Sequence, residues 1–225
     1  MQEKAVYSPQ SSSMDSVLAT NRVLKNTYIL LSMTLLFSAV TAGISMAVNP
    51  PPFTGMVCSL LALGLLWFGL GKTANSASGI YMVFAITGLL GFGLGPMLNA
   101  YTSTANGSAL VMQALGGTAL VFFALSGYAL STRKDFSYMG GFLIVGLLVA
   151  IVASIANIFM QIPALQLTIS AAIVLIMSGL ILYDTSRIIN GGETNYIMAT
   201  IGLYLSLYNL FVALLHLLTA LGGDD

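Results

Sequence analysis

Seven long uncharged stretches constrain the fold of this chain more than any other feature of its sequence. They are 19 to 22 residues long and occupy 27–48, 53–71, 78–98, 109–130, 138–158, 165–183 and 197–218. An α-helix that rises 1.5 Å per residue needs about 20 apolar residues to cross a hydrocarbon layer of about 30 Å. The strands of a membrane barrel would instead be segments of about 10 residues with alternating polarity. We therefore predict an all-α integral membrane protein with seven transmembrane helices.

The composition excludes most other classes of protein. Charged residues make up 6% of the chain, against about 25% in soluble proteins, which is too few to cover a soluble domain. Seven Lys and Arg residues balance seven Asp and Glu residues, so there is no basic excess with which to bind nucleic acid. The single cysteine, Cys58, excludes a disulfide within the chain and a cysteine-based zinc site.

The basic residues predict the orientation of the bundle. All seven lie in the N-terminal segment or in the second, fourth and sixth loops: Lys4, Arg22, Lys25, Lys72, Arg133, Lys134 and Arg187. Because segments rich in Lys and Arg stay in the cytoplasm during insertion, we predict the N-terminus inside and the C-terminus outside. Residues 1–26 are polar and rich in serine, and we predict that they form a disordered cytoplasmic tail. Residues 219–225 are predicted to be a short outer tail.

The sequence shows no constellation of catalytic or metal-binding residues. His216 is the only histidine, so one chain cannot form a site with several histidines. The predicted topology places His216 at the outer end of the last helix and Asp184 and Glu193 on the inner side, so these residues cannot form a triad. We therefore predict no enzymatic activity, no cofactor and no bound metal.

Two features could act within or near the membrane. Asp184 directly follows the sixth apolar stretch, where an acid is either a functional group or an ion-pair partner of Arg187, three residues on. Ser206 and Asn209 share one stripe of the last helix with Gly202, and such a stripe should face protein or water rather than lipid. This stripe fits a permeation path or a hydrogen-bonded seam between helices, and both interpretations remain open. On the third helix, Gly88, Gly91 and Gly95 have the spacing of close helix packing.

Two separated motifs closely resemble the Bax inhibitor-1 family of small membrane proteins. The first motif contains Gly88, Gly95, Pro96, Thr118 and Phe122, and the second joins Leu182-Tyr183-Asp184 to the segment from Leu203 to Phe211. The segment Gly191-Gly192-Glu193-Thr194-Asn195-Tyr196 looks most like the bacterial YccA-like branch of that family. The resemblance implies seven helices, with the last one central and surrounded by the other six.

The resemblance also implies a cation leak as one function. In members of the family that leak calcium, two aspartates on the last two helices form a pH-sensing pair. Asp184 matches the first aspartate, whereas Ser206 stands at the second position, so the pair is incomplete. A pH-sensitive calcium or cation leak would then use Asp184, Ser206 and Asn209, with Arg187 or Lys72 as ion-pair partners and calcium as the transported ion.

The YccA-like branch implies a different function, which the missing aspartate favours. Its members are multi-pass proteins of the bacterial inner membrane that modulate the membrane-anchored protease FtsH or serve as its substrates, together with the regulators HflK and HflC. The resemblance therefore implies membrane lipid as the surroundings, a cytoplasmic N-terminus and a periplasmic C-terminus. The polar tail is the segment that such a protease could engage.

Overall fold

A computed structural model describes residues 9–222, with side chains described from residue 17 onward. Within that range seven helices are long and apolar enough to cross a membrane, which confirms the predicted helix count. They are α1 (Pro9–Val48), α2 (Thr54–Thr73, with a π-helical stretch at Leu65–Leu70), α3 (Ser78–Thr102), α4 (Gly107–Thr132), α5 (Gly140–Met160), α6 (Pro163–Ile189) and α7 (Tyr196–Gly222).

Left-handed residues follow four of the helices. Asn49, Arg133 and Gln161 have φ angles of 52°, 52° and 53° and come directly after α1, α4 and α5. Gly191, with φ 74°, lies just past α6. Three prolines follow Asn49 and prevent α1 from continuing, because proline lacks the N–H that a helix needs. The chain therefore reverses between the apolar stretches that the sequence predicts as spans.

α1 corrects the predicted disordered tail. The helix begins at Pro9 rather than at Thr27, and residues 1–8 of the predicted tail lie outside the described residues. Proline is well tolerated in the first turn of a helix, and extending an existing helix adds one hydrogen bond for each residue ordered. Val23 and Leu24 also pack against the hydrophobic core. The polar residues before Thr27 therefore mark where the apolar part of α1 begins, but they do not mark where the helix itself begins.

The other helices also run past their apolar stretches. α6 continues to Ile189, so Asp184 and Arg187 lie inside the helix rather than beyond its end. α7 continues to Gly222, so the first part of the predicted outer tail is helical, and residues 223–225 lie outside the described part of the chain. The length of an apolar stretch predicts only how much of a helix lies in the hydrocarbon layer. The helix itself can be longer, because its backbone hydrogen bonds also form outside that layer.

α7 is the most buried of the seven spans. Its backbone closely approaches α1, α3, α4 and α6, whereas in the described structure α2 closely approaches only α3, and α5 only α6. The backbones of four helices thus lie close to α7, and the implied ring of six helices around the last one stays a prediction. α2 and α5 lie at the periphery and present large apolar side chains such as Phe68 and Phe142 to the surroundings.

Candidate functional site

The charged side chains of the described chain gather at one end of the bundle. They are Arg22, Lys25, Lys72, Arg133, Lys134, Asp135, Asp184, Arg187 and Glu193. Hydrogen bonds join the loops at this end: the Asn195 amide donates to the carbonyl of Ala74 (2.9 Å), and the Ser186 hydroxyl donates to the carbonyl of Lys134 (2.9 Å). We call this surface the charged end.

Asp135 is an exposed acid of the charged end. It follows Arg133 and Lys134 in the loop between α4 and α5. Hydrogen bonds from the side chain and the backbone N–H of Ser137 hold the pKa of Asp135 below its ordinary value. Its negative charge is therefore retained to lower pH than that of a free carboxylate.

Asp184 is half-buried on α6 and faces a small residue of α7. Its Oδ2 lies 3.2 Å from the position that a β-carbon on Gly202 would take. Within the described residues the Asp184 carboxylate takes part in no hydrogen bond or ion pair. A carboxylate in this setting can accept a hydrogen bond or attract a cation.

Arg187 and Lys72, the two candidate ion-pair partners of Asp184, do not pair with it in the described structure. Arg187 turns instead to Glu193, with Nη2 3.5 Å from Oε2, and donates to the carbonyl of Gly192 (3.2 Å). Its guanidinium also lies 5.5 Å from the centre of the Tyr183 ring. The turn after α6 brings Glu193 within reach, which helical spacing alone does not predict.

Ser206 and Asn209 lie one and two turns beyond Gly202 on α7. Ser206 is buried, whereas Asn209 is half-buried and donates to the carbonyl of Leu205 in its own helix (2.8 Å). Neither side chain is hydrogen-bonded to Asp184 in the described structure. Asp184 therefore faces Gly202, which lies at one end of the predicted stripe of α7 that also contains Ser206 and Asn209.

The glycines and Pro96 of the first family motif lie on α3. A β-carbon on Gly88 would lie 2.7 Å from the Phe37 ring, and those on Gly91 and Gly95 would collide with Ser38 and Ser45. The missing side chains let α1 and α3 approach closely. Pro96 lines a hollow at the uncharged end of the bundle.

Thr118 and Phe122 of the same motif lie on α4. Both are buried, and the Thr118 hydroxyl donates to the carbonyl of Ala114 (2.7 Å). The Phe122 ring lies 5.9 Å from that of Tyr28 on α1. These two residues border a groove that faces α1.

Sequence reasoning missed a buried polar cluster centred on Tyr204 of α7. Its hydroxyl lies 2.6 Å from the hydroxyl of Ser38 on α1 and 3.2 Å from the carbonyl of Thr87 on α3. The signal was present, because a tyrosine in an apolar span needs a hydrogen-bond partner. The partners could not be identified, because they lie more than a hundred residues away along the chain.

Comparison with known proteins adds a family and several relatives. Residues 20–223 match the family model described as "Inhibitor of apoptosis-promoting Bax1". A protein of Escherichia coli K12 named "Modulator of FtsH protease YccA" is 54% identical over 210 residues, which cover 92% of this chain and 95% of that protein. An uncharacterized membrane protein of Vibrio cholerae is 48% identical over 216 residues, covering 96% and 97%. An uncharacterized protein of Pseudomonas aeruginosa is 46% identical over 220 residues, covering 96% and 99%.

Proposed function

This chain belongs to the Bax inhibitor-1 family, and from that premise we propose that it is an inner-membrane modulator or substrate of the protease FtsH in membrane-protein quality control and stress response. The observation that carries the proposal is the identity of 54%, over nearly the full length of both chains, with the protein named as a modulator of that protease. The proposed partners are FtsH and its regulators HflK and HflC, within the lipid of the bacterial inner membrane.

The charged end supports a cytoplasmic site of engagement. All six basic residues of the described chain lie there, and Lys and Arg favour the cytoplasmic side of a membrane. We propose that this end faces the cytoplasm and the uncharged end faces the periplasm. A cytoplasmic protease would then meet the N-terminal part of α1, the loops of the charged end and Asp184.

The first part of α1 is the proposed handle. Residues 9–26 would extend about 27 Å beyond the membrane-buried part of the helix. Val17 and Leu18 are 58% and 65% exposed on this segment, so they offer apolar contacts to a partner. Because Val17 and Leu18 are exposed, whereas Val23 and Leu24 pack against the core, the start of the helix should open at lower cost than the core and be drawn into a protease first.

Pulse-chase turnover of the full chain tests the proposal. Deletion of residues 1–18, which removes Val17 and Leu18, should lengthen the lifetime of the protein in cells with active FtsH and leave its lifetime unchanged after FtsH is depleted. Replacement of the same residues by a polar segment of equal length is the matched control, and it separates the need for length from the need for sequence. If turnover of the intact chain does not depend on FtsH, and degradation of another FtsH substrate is unaffected by its overproduction, the proposal is wrong.

A cation leak is the second candidate, and the environment of Asp184 is the observation that favours it. The unpaired carboxylate faces Gly202, and Ser206 and Asn209 continue along the same helix. Calcium flux into liposomes should then depend on pH in the wild type and lose that dependence in Asp184→Asn. Ser206→Asp should move the transition to higher pH by restoring a carboxylate pair.

Asp135→Asn is the matched control for the leak, because it neutralises an exposed acid at the same end of the bundle. It should leave the pH profile of the flux unchanged. Identical profiles in the wild type, Asp184→Asn and Ser206→Asp would rule out a leak gated by Asp184.

A further inference from the structure

A groove separates α1 from α4. The backbones of the two helices do not approach each other closely in the described structure, although both pack against α7 and the rings of Tyr28 and Phe122 lie 5.9 Å apart. The gap between them has a volume of about 580 Å³, and its walls are residues 28–46 of α1 and 111–123 of α4. Tyr204, Leu207 and Phe211 of α7 form its floor. We call it the α1–α4 groove.

We propose that the α1–α4 groove holds one acyl chain of a membrane phospholipid, whose ester region lies at Tyr28 and whose phosphate lies near Lys25. This site is independent of the proposed engagement of FtsH. The occupant is inferred from the size of the groove, from its lining and from the polar groups at one of its ends.

The size of the groove favours a hydrocarbon chain, rather than a helix of another protein, as its occupant. The wall on α1, residues 28–46, is about 27 Å long at the rise of an α-helix. A helix of that length and about 10–12 Å across fills more than about 2,000 Å³, whereas the groove offers about 580 Å³. The groove therefore has room for a hydrocarbon chain but not for a helix.

The lining suits an acyl chain that enters from the surrounding bilayer. Leu35, Ala39 and Gly43 of α1 lie along one wall and are exposed, and Phe123 of α4 is 71% exposed on the other wall. Ala39 and Gly43 deepen the groove because they carry little or no side chain. A β-carbon added at Gly43 would have no other atom within 4 Å, so the space beside this residue is open.

Tyr28 marks the polar end of the groove. It lines the groove near the charged end, and its hydroxyl is buried with no hydrogen-bond partner among the described residues. A hydroxyl left without a partner at membrane depth is costly. Rotation of the side chain toward the groove would let it donate to the ester carbonyl of a lipid.

Lys25 supplies the charge that suits a phosphate. It is exposed and lies three residues before Tyr28, so the two side chains share one face of α1, and Ser32 and Leu35 continue that face into the groove. The order along the face is therefore cation, hydroxyl and hydrocarbon. A phospholipid presents its phosphate, ester and acyl chain in the same order.

Photo-crosslinking of the full chain tests this site. The protein is reconstituted into vesicles of phosphatidylethanolamine and phosphatidylglycerol that contain a trace of the same lipids with a diazirine on one acyl chain. After illumination, peptide mass spectrometry locates the adducts. In the wild type they should concentrate on 28–46 and 111–123, and the double variant Ala39→Phe/Gly43→Phe should reduce them about tenfold by filling the groove.

Two further variants sharpen the result. Gly127→Phe adds the same ring on α4 where nothing lies within 4 Å and outside the groove, so it should leave the adducts unchanged. Tyr28→Phe should lower them by about threefold to tenfold, because it removes only the hydroxyl.

Several outcomes would overturn the proposal. Adducts spread evenly over all lipid-facing helices of the wild type would show surrounding lipid only, and this readout does not depend on the folding of any variant. Labelling of the groove by a diazirine fatty acid but not by the phospholipid would show a fatty-acid site. Crosslinks from the groove to a second copy of the chain would show a protein interface.

Discussion

The hydroxyls of Ser38 and Tyr204 lie 2.6 Å apart, at the contact between α1 and α7. The Tyr204 hydroxyl also reaches the carbonyl of Thr87 on α3 (3.2 Å). Ser38 can therefore donate to Tyr204 while Tyr204 donates to Thr87, so one short chain of hydrogen bonds joins three helices. All three residues are buried, so none has water as an alternative partner.

Tyr204→Phe should lower the free energy of unfolding by about 1–2 kcal/mol, because it breaks both bonds and leaves the Ser38 hydroxyl without its partner. Unfolding in mixed micelles of increasing dodecyl sulfate content measures the change. Tyr81→Phe is the control, since Tyr81 is 77% exposed. Equal losses in the two variants would mean that the cluster contributes nothing.

Gly91→Ala should destabilise the protein by about 1–3 kcal/mol, because the added methyl group meets the Ser38 carbonyl of α1 and separates two packed helices. Gly127→Ala, where nothing lies within 4 Å, should be neutral or raise stability by up to about 1 kcal/mol through helix propensity. The same unfolding measurement compares them. A similar effect of both substitutions would contradict the close approach of α1 and α3.

Asn195→Ala should destabilise the protein by about 2 kcal/mol. The side-chain oxygen of Asn195 caps α7 by accepting from the N–H groups of Ile197 (2.9 Å) and Met198 (3.2 Å), and the side-chain NH2 donates to Ala74 and Asn75. Asn195→Ser keeps a capping oxygen and loses only the amide donors, so it should lose about half as much. Unfolding of the two variants side by side tests this, and an equal loss would mean that the cap is unimportant.

Gln161→Gly should raise stability by about 0.5–1 kcal/mol. Gln161 ends α5 with a φ of 53°, a conformation that glycine adopts without the steric cost paid by other residues. Gln161→Ala keeps that cost and should give no gain. A thermal shift of the purified protein compares the two, and a higher melting temperature for the alanine variant would contradict the assignment.

The features that depend on residues close together in the chain could be predicted from the sequence. Apolar length predicts seven spans, and the spacing of Gly88, Gly91 and Gly95 predicts a packed face, because both follow from helix geometry alone. The charges predict which loops share one end. Each of these signals is local and repeats along the chain.

Features that depend on contacts between residues far apart in the chain could not be predicted from the sequence. Helical spacing left open whether Asp184 pairs with Arg187, whereas the turn after α6 brings Glu193 to Arg187 instead. The start of α1 was misplaced because Val23 and Leu24 are held by residues from other helices. The groove between α1 and α4 arises because both helices pack on α7 while their backbones stay apart, and the sequence of neither helix alone predicts that arrangement.

α7 follows in the chain every helix that it packs against, and this order has a consequence for assembly. During synthesis α1, α3, α4 and α6 enter the membrane before the element that borders all four of them. Until residues 196–222 are inserted, Ser38 and Thr87 lack Tyr204, and the groove between α1 and α4 has no floor. A nascent chain that stalls before α7 therefore leaves polar groups unpaired within the bilayer. The other helices can complete their packing only after α7 has been inserted.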